Sequence, residues 1–152
     1  MLLNVPLQAQ AKDNSCWNAA AYMIWLYSQQ KTGRQGPMAT HFEAYAVADT
    51  TPLQYSQFKD FAKQVGLKSL PKKNYHSASD LLGYLQQHGP ILCCGTWFGV
   101  GHAIVLTGVA DSTVFFNDPD GGVRKNNTVA WWNEKLFSDY DDTLMYKDPD
   151  RY

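Results

Sequence analysis

One cysteine, Cys16, stands where a helix is predicted to begin. It follows Asp13, Asn14 and Ser15, which are residue types that favour the N-cap of a helix, and it precedes a long apolar run. At the first turn of a helix, unpaired backbone N–H groups and the positive end of the helix dipole stabilise a thiolate, the nucleophilic form of cysteine. Cys16 is therefore the candidate nucleophile, and a small buried cysteine without chemistry is the alternative.

A histidine that could serve as its base opens an apolar run in the second half of the chain. His102 follows Gly99-Val100-Gly101 and precedes Ala103-Ile104-Val105-Leu106. Glycines before a strand let other backbone approach closely, so the histidine is expected at the end of a sheet. His102 is the candidate general base. The remaining histidines lie among polar neighbours and are expected at the surface: His41, His76 and His88.

A third polar group ends the strand that is predicted to pair with the His102 strand. In a hairpin the end of one strand lies beside the start of the other, so Asn117 or Asp118 can reach His102 and fix its ring. Because side chains alternate along a strand, we expect only one of them to point there. The chemistry favours Asp118, since a carboxylate also stabilises the imidazolium. Asn117 would then pack or cap the turn.

Further candidates lie close to these three along the chain. Gln10 precedes Cys16 by six residues, and its amide could donate to a developing oxyanion together with the Cys16 N–H. Trp97 and Phe98 could line a substrate cleft, and packing in the core or at its rim is the alternative for them. Trp17, next to Cys16, is a further candidate for binding substrate.

The rest of the chain must position these side chains. It has 152 residues, of which 45% are hydrophobic and 18% charged, which suits one domain with a hydrophobic core. Helices are predicted mainly in the first half and a largely antiparallel sheet in the second, an order typical of the α+β class. Helices are predicted after Ser15, at residues 38–48, 55–65, 77–88 and 129–137, and strands at residues 91–94, 102–107, 114–116 and 143–146.

Charge and composition argue against several classes of partner. The formal net charge is -1, which does not favour non-specific nucleic-acid binding. No apolar run approaches the roughly 20 residues of a membrane span, and the start of the chain does not resemble a signal peptide. The three cysteines, Cys16, Cys93 and Cys94, form no disulfide framework, and their spacing matches no zinc motif. We therefore expect free thiols and no metal or cofactor.

Three sequence blocks, in this order, resemble the papain-like cysteine proteases, and most closely the compact bacterial members found among secreted effectors and toxin domains. The nucleophile block comprises residues 5–10 together with Ser15-Cys16-Trp17 and the alanine-rich run that follows. The histidine block is Gly101-His102-Ala103-Ile104-Val105-Leu106, and the third block is Phe116-Asn117-Asp118-Pro119. The likeness covers residues 5–28 and 90–120, whereas residues 30–88 match no block of the family.

The resemblance implies an α+β fold in which a central N-terminal helix carrying Cys16 packs on a twisted antiparallel sheet carrying His102 and Asp118. It implies that Cys16 is the nucleophile, His102 the base and then the acid, Asp118 the orienting group and Gln10 the oxyanion donor. Residues 1–152 are then one catalytic domain, expected to be the toxin or effector part of a longer protein. A secretion system would deliver it into the cytoplasm of a target cell; otherwise it would be cytoplasmic.

The expected partners are a protein substrate and a cognate immunity protein or inhibitor that covers the cleft. Two other functions use the same scaffold. A glutamine deamidase or transglutaminase shares the first chemical steps with a protease, and an inactive papain-like binding module would carry an unreactive thiol. The sequence motifs alone do not separate these alternatives.

Overall fold

Four α-helices and six β-strands build the part of the chain that the computed structural model describes, residues 1–34 and 42–151. Two short 3-10 helices, Glu43–Val47 and Tyr55–Gln57, lie between the first two α-helices. The α-helices are α1 (Cys16–Thr32), α2 (Phe58–Gln64), α3 (Ala78–His88) and α4 (Val129–Lys135). The strands are β1 (Leu67–Ser69), β2 (Ile91–Gly95), β3 (His102–Ala110), β4 (Thr113–Asp118), β5 (Val123–Thr128) and β6 (Leu144–Lys147).

The strands form one antiparallel sheet in the order β1-β6-β2-β3-β4-β5. Because side chains alternate along β3, Ala103 and Val105 pack into the core shared with α1 and α2, whereas Ile104 and Leu106 pack into the core shared with α3 and α4. The sheet therefore has helices on both faces. The α+β class, with an N-terminal helix packed on an antiparallel sheet, is confirmed.

Helix α1 is apolar nearly all round because it is covered on more than one side. Met23 and Ile24 are fully buried in a core that joins α1 to the sheet and to residues of α2. The indole of Trp25 donates to the carbonyl of Val65 just after α2, at 2.7 Å. Among the described helices, α1 included, none is long and apolar enough to span a bilayer.

The N-terminal segment is extended and runs beside β3. Leu2 forms a bridge with Gly108, and the Leu3 N–H donates to the Thr107 carbonyl at 2.8 Å. A Cβ at position 108 would lie 2.6 Å from the Met1 carbonyl oxygen, so this close approach requires glycine. The segment that leads to Gln10 is thereby held against the sheet.

The predicted elements differ from the observed ones in three places. The helix predicted at residues 38–48 falls partly on residues 35–41, outside the described part of the chain, and Glu43–Val47 is a 3-10 helix. Strand β1 was not predicted because three residues are too few for a pattern. Strand β5 was not predicted because it is an edge strand whose residues are nearly all exposed, so apolar and polar residues do not alternate along it.

Candidate active site

Cys16 is the first residue of α1, as predicted, and is half-buried against the start of β3. Its Sγ accepts a hydrogen bond from the N–H of Ala103, the residue that follows His102, at 3.4 Å. Ser15 does not cap the helix with its side chain, because its Oγ bonds to Lys12 instead. Within the described residues, no backbone carbonyl accepts the Cys16 N–H, so this donor at the helix N-terminus is available to a ligand.

His102 lies between Cys16 and a carboxylate. Its Nε2 is 2.6 Å from Oδ1 of Asp118, so Nδ1 is the ring nitrogen that does not bind this carboxylate. Burial by itself lowers the pKa of His102, but the hydrogen bond to Asp118 and the neighbouring Cys16 thiol outweigh it and raise the pKa to about 9. The ring is therefore an imidazolium at neutral pH, which is the charge that stabilises a neighbouring thiolate.

Asp118 ends β4 and is almost completely enclosed, with 1% of its surface exposed. Oδ1 accepts from His102 and also from the Asp120 N–H at 2.9 Å, while Oδ2 accepts from Lys125 Nζ at 2.8 Å. Burial alone would raise the pKa of Asp118, but the hydrogen bonds from His102 and Lys125 outweigh burial and hold that pKa below its usual value. The carboxylate is thus ionised at neutral pH.

Asn117 points to the other face of the sheet. Its Nδ2 donates to the Val5 carbonyl at 3.3 Å and contacts Sδ of Met23 at 3.6 Å, and the residue is buried. The alternation of side chains along β4 sends the two neighbours to opposite faces. The structure therefore brings Asp118 to His102 and uses Asn117 to tie the N-terminal segment to α1.

Gln10 lies in the loop that leads to Cys16, and its side chain braces that loop. Nε2 donates to the carbonyls of Lys12 and Asp13 at 3.0 and 2.8 Å, so both amide hydrogens are engaged. Oε1 is buried and has no hydrogen-bond partner among the described residues. The Gln10 N–H donates to the Pro119 carbonyl at 2.7 Å, which joins this loop to the end of the Asp118 strand.

Of the three predicted cleft residues, the structure puts one beside the site. Phe98 is 47% exposed, and its ring centroid lies 6.0 Å from that of His102. Trp17 and Trp97 are each only 2% exposed, so the prediction that they line a cleft is corrected. Trp17 packs edge-on against Phe61 in one core, and Trp97 packs in the core on the other face, because both indoles are fully enclosed by helices and strands.

The prediction that His76 is a surface residue is also corrected. His76 is 1% exposed, its Nδ1 lies 2.8 Å from the Tyr84 hydroxyl, and its ring packs edge-on against Trp132. Burial, aided by Lys73, lowers the pKa of His76 to about 4. His88 is half-buried and stacks on Tyr146, and His41 lies outside the described residues.

Lys125, which contacts Asp118 directly, was not predicted from the sequence. Its ammonium group also lies 4.2 Å from the centroid of the Phe98 ring. The glycine pair Gly121-Gly122 could have indicated β5, the strand that carries Lys125, because a tight turn after a strand favours an antiparallel return strand. Among residues 1–34 and 42–151, no group of three or more metal-ligating side chains clusters together.

One family model matches most of the chain. The family model of the papain-like cysteine protease AvrRpt2 matches residues 1–137. No significant match was found among curated protein sequences.

Two solved peptidase structures share the fold at 14% sequence identity. One is a double glycine motif protease from an AMS/PCAT transporter in complex with the leader peptide, with a TM-score of 0.58 over 96% of this chain and 91% of that chain. The other is the peptidase domain of Streptococcus ComA, a bi-functional ABC transporter involved in a quorum-sensing pathway, with a TM-score of 0.62 over 93% and 96%. With the family match over nine-tenths of its length, the chain belongs to the papain-like cysteine protease family of AvrRpt2.

Proposed function

We propose that Cys16, His102 and Asp118 form a catalytic triad that hydrolyses peptide bonds of a protein substrate. The observation that carries the proposal is the 2.6 Å contact between His102 Nε2 and Asp118 Oδ1, with Cys16 Sγ bound to the N–H of Ala103, the residue that follows His102. A nucleophile, a base that contacts it and a group that orients the base are the parts that acyl transfer needs.

The reaction follows from these contacts. The Cys16 thiolate attacks the carbonyl carbon of the scissile bond, and the carbonyl oxygen becomes an oxyanion that the free Cys16 N–H can bind. The His102 imidazolium then gives its proton to the leaving amine, the C–N bond breaks and an acyl-enzyme forms. Neutral His102 next takes a proton from water, the hydroxide attacks the acyl carbon, and the acid product leaves as the thiolate and imidazolium are restored.

Gln10 is the proposed second oxyanion donor. For this role its Nε2 must exchange one of its two bonds to the loop carbonyls of Lys12 and Asp13 for the oxyanion. Such an exchange is favourable in the transition state because a charged acceptor forms a stronger hydrogen bond than a neutral carbonyl. Asp118 keeps its charge throughout and stabilises the imidazolium.

We further propose that the chain is a bacterial effector or interbacterial toxin domain that acts in the cytoplasm of a target cell. The resemblance of its blocks to the compact bacterial proteases found among effectors supports this role. A polypeptide substrate is supported by the structural neighbour that was solved in complex with a leader peptide. A cognate immunity protein that covers the cleft would be the partner in the producing cell.

The test is to produce wild type, Cys16→Ala and His102→Ala in bacteria and to compare the new protein termini by mass spectrometry. We expect wild type alone to generate new termini and both variants to fold with unchanged circular dichroism. Because the residues act as one unit, the double variant should be little worse than either single variant. Full cleavage by Cys16→Ala would refute the triad.

The same samples separate the alternative functions. A glutamine deamidase leaves the backbone intact and adds about one dalton, and a transglutaminase crosslinks its target. A binding module predicts slow alkylation of Cys16 by iodoacetamide. For the protease we expect rapid labelling of native Cys16 and protection of the two cysteines of β2, since burial raises the pKa of Cys93 to about 12 and raises that of Cys94 as well.

A further inference from the structure

Lys125 holds the second oxygen of the Asp118 carboxylate. Its Nζ lies 2.8 Å from Oδ2, and the Asp118 side chain is 1% exposed against 38% for Lys125. His102 and the Asp120 N–H both bind the other oxygen, Oδ1. Within the described residues, Lys125 is therefore the partner on which Oδ2 depends.

The register of the sheet explains why this residue reaches Asp118. In the antiparallel pair of β4 and β5, Asp118 lies opposite Val123 and Phe116 lies opposite Lys125. Residues two apart on a strand share a face, so Lys125 is the diagonal neighbour of Asp118 on the face that also carries His102. The exposed ring of Phe98 lies over the ammonium group, 4.2 Å away, and restricts where the lysine can go.

We propose that Lys125 is a positioning residue of the active site, which fixes the plane of the Asp118 carboxylate so that Oδ1 stays aimed at His102 Nε2. This inference rests on the proposed triad. A carboxylate held by donors on both oxygens cannot rotate about its Cβ–Cγ bond without losing one of them. Without Lys125, Oδ2 would be a buried charged atom without a partner, and the group would rotate or move to find another donor.

Positioning and simple charge predict opposite effects on His102. The titratable groups that act on the ring are Cys16 from α1 and Asp118 from β4, and Lys125 from β5 acts through Asp118. If Lys125 acted through its positive charge alone, removing it would favour the imidazolium and move the loss of the imidazolium to higher pH. If it positions Asp118, removing it weakens the support of the imidazolium and moves that loss to lower pH.

The experiment compares Lys125→Met, which keeps the length of the side chain but not the charge, with Lys125→Arg, which keeps a donor. Lys73→Met is the matched control, because the Lys73 ammonium group also forms an ion pair with an aspartate, Asp80 of α3, at 2.7 Å. For each variant we would measure kcat and KM for a cleaved peptide, the melting temperature, and the pH at which the His102 ring loses its proton, followed by NMR of the imidazole C–H signals.

For Lys125→Met we expect kcat to fall about tenfold with KM nearly unchanged, because the carboxylate that orients His102 is then less firmly held. The pH at which the His102 ring loses its proton should move down by at least about half a pH unit. Lys125→Arg should restore both, and Lys73→Met should change neither. In an Asp118→Ala background, adding Lys125→Met should cause no further loss, because the lysine acts through that carboxylate.

A His102 titration that is unmoved or moves to higher pH in Lys125→Met would overturn the positioning role, even if activity fell. So would an additive loss in the Asp118→Ala background. A wild-type protein that cleaves no peptide although Cys16 alkylates rapidly would instead count against the proposed protease function, and the His102 titration, which needs no peptide substrate, would still test Lys125.

Discussion

At the scale of single residues, two opposite charges lie together in a place that little water reaches. His102 donates to Asp118, whose side chain is almost fully enclosed, and each of the two holds the other in its charged form. Burial opposes both charges, and the hydrogen bonds outweigh it in both cases. A charged pair of this kind stays intact across the neutral pH range, which is the condition for a thiolate beside an imidazolium.

The raised pKa of His102 predicts the alkaline limit of peptide cleavage. Because the imidazolium persists up to its pKa of about 9, cleavage, which needs its proton for the leaving amine, should decline above that pH. The value of kcat/KM for a cleaved peptide between pH 5 and pH 10 would check this. Replacing His102 by Gln should abolish the fast reaction of Cys16 with iodoacetamide below about pH 8.5, the ordinary range of a free thiol. A wild-type alkylation rate that first rises near that pH would contradict the charged pair.

The opposite orientations of Asp118 and Asn117 predict different defects for their variants. Asp118→Ala should lower kcat by at least about tenfold, as expected for the orienting group of a triad. Asn117→Ala should leave kcat within about threefold but reduce the free energy of unfolding by about 1–3 kcal/mol, since it removes a buried hydrogen bond to Val5. Turnover at matched folded fraction and urea denaturation measure the two effects. A crippled Asn117→Ala beside an active Asp118→Ala would reverse the assignment.

At the scale of elements, the site depends on where β2 and β4 end and where β3 begins. His102 is the first residue of β3 and pairs with Gly95, the last residue of β2. Gly95 in turn contacts the end of α4, because a Cβ there would lie 2.5 Å from the Lys135 carbonyl oxygen. Helix α4 and the start of β3 are thus brought together across a position that admits only glycine.

This contact predicts that Gly95→Ala destabilises the protein. The added methyl group would push α4 from β2, and we expect a loss of about 1–3 kcal/mol in the free energy of unfolding. Gly83→Ala is the matched control, because Gly83 lies within α3 with nothing near its Cβ position. That change should be neutral or add up to about 1 kcal/mol, since alanine favours helix. Urea denaturation of both variants provides the measurement, and equal effects would contradict the close approach.

At the scale of the whole molecule, two histidines, the buried His76 and the half-buried His102, respond to pH in opposite ways. The pKa of His102 is raised to about 9 by its partners, whereas burial lowers that of His76 to about 4. In the unfolded chain both have an ordinary value near 6.5. Folding therefore favours the protonated form of one and the neutral form of the other.

These shifts predict a stability maximum near pH 6.5. Below that pH the unfolded chain binds a proton at His76 that the folded protein does not bind, so stability falls as the pH drops from 6.5 towards about 4. Above it the folded protein retains a proton at His102 that the unfolded chain releases, so stability falls as the pH rises towards about 9. Urea midpoints at pH 5, 6.5 and 8 test this.

The two limbs can be assigned with single variants. His76→Gln should flatten the acid side of the stability profile, and His102→Gln should flatten the alkaline side, whatever either change does to the overall stability. A profile that keeps both slopes in both variants would show that other groups cause them.

The amino-acid sequence by itself determined the local elements and the order of the chemical groups. The start of α1 at Cys16, the capping box of Ser77 and Asp80 and the β3–β4 hairpin were all predictable, because caps, turns and apolar runs act over a few neighbouring residues. The α+β class and the family followed from those elements and from the order of the blocks.

The tertiary structure alone decided which side chains meet. Alternation along β4 allowed either Asn117 or Asp118 to face His102, and the face was chosen by packing against α1 on one side of the sheet. Trp17, Trp97 and His76 are buried because helices cover them, which neighbouring residues do not reveal. Lys125 reaches Asp118 through the register in which β5 pairs with β4. Because β5 is an edge strand along which apolar and polar residues do not alternate, the sequence of neither strand predicts this register.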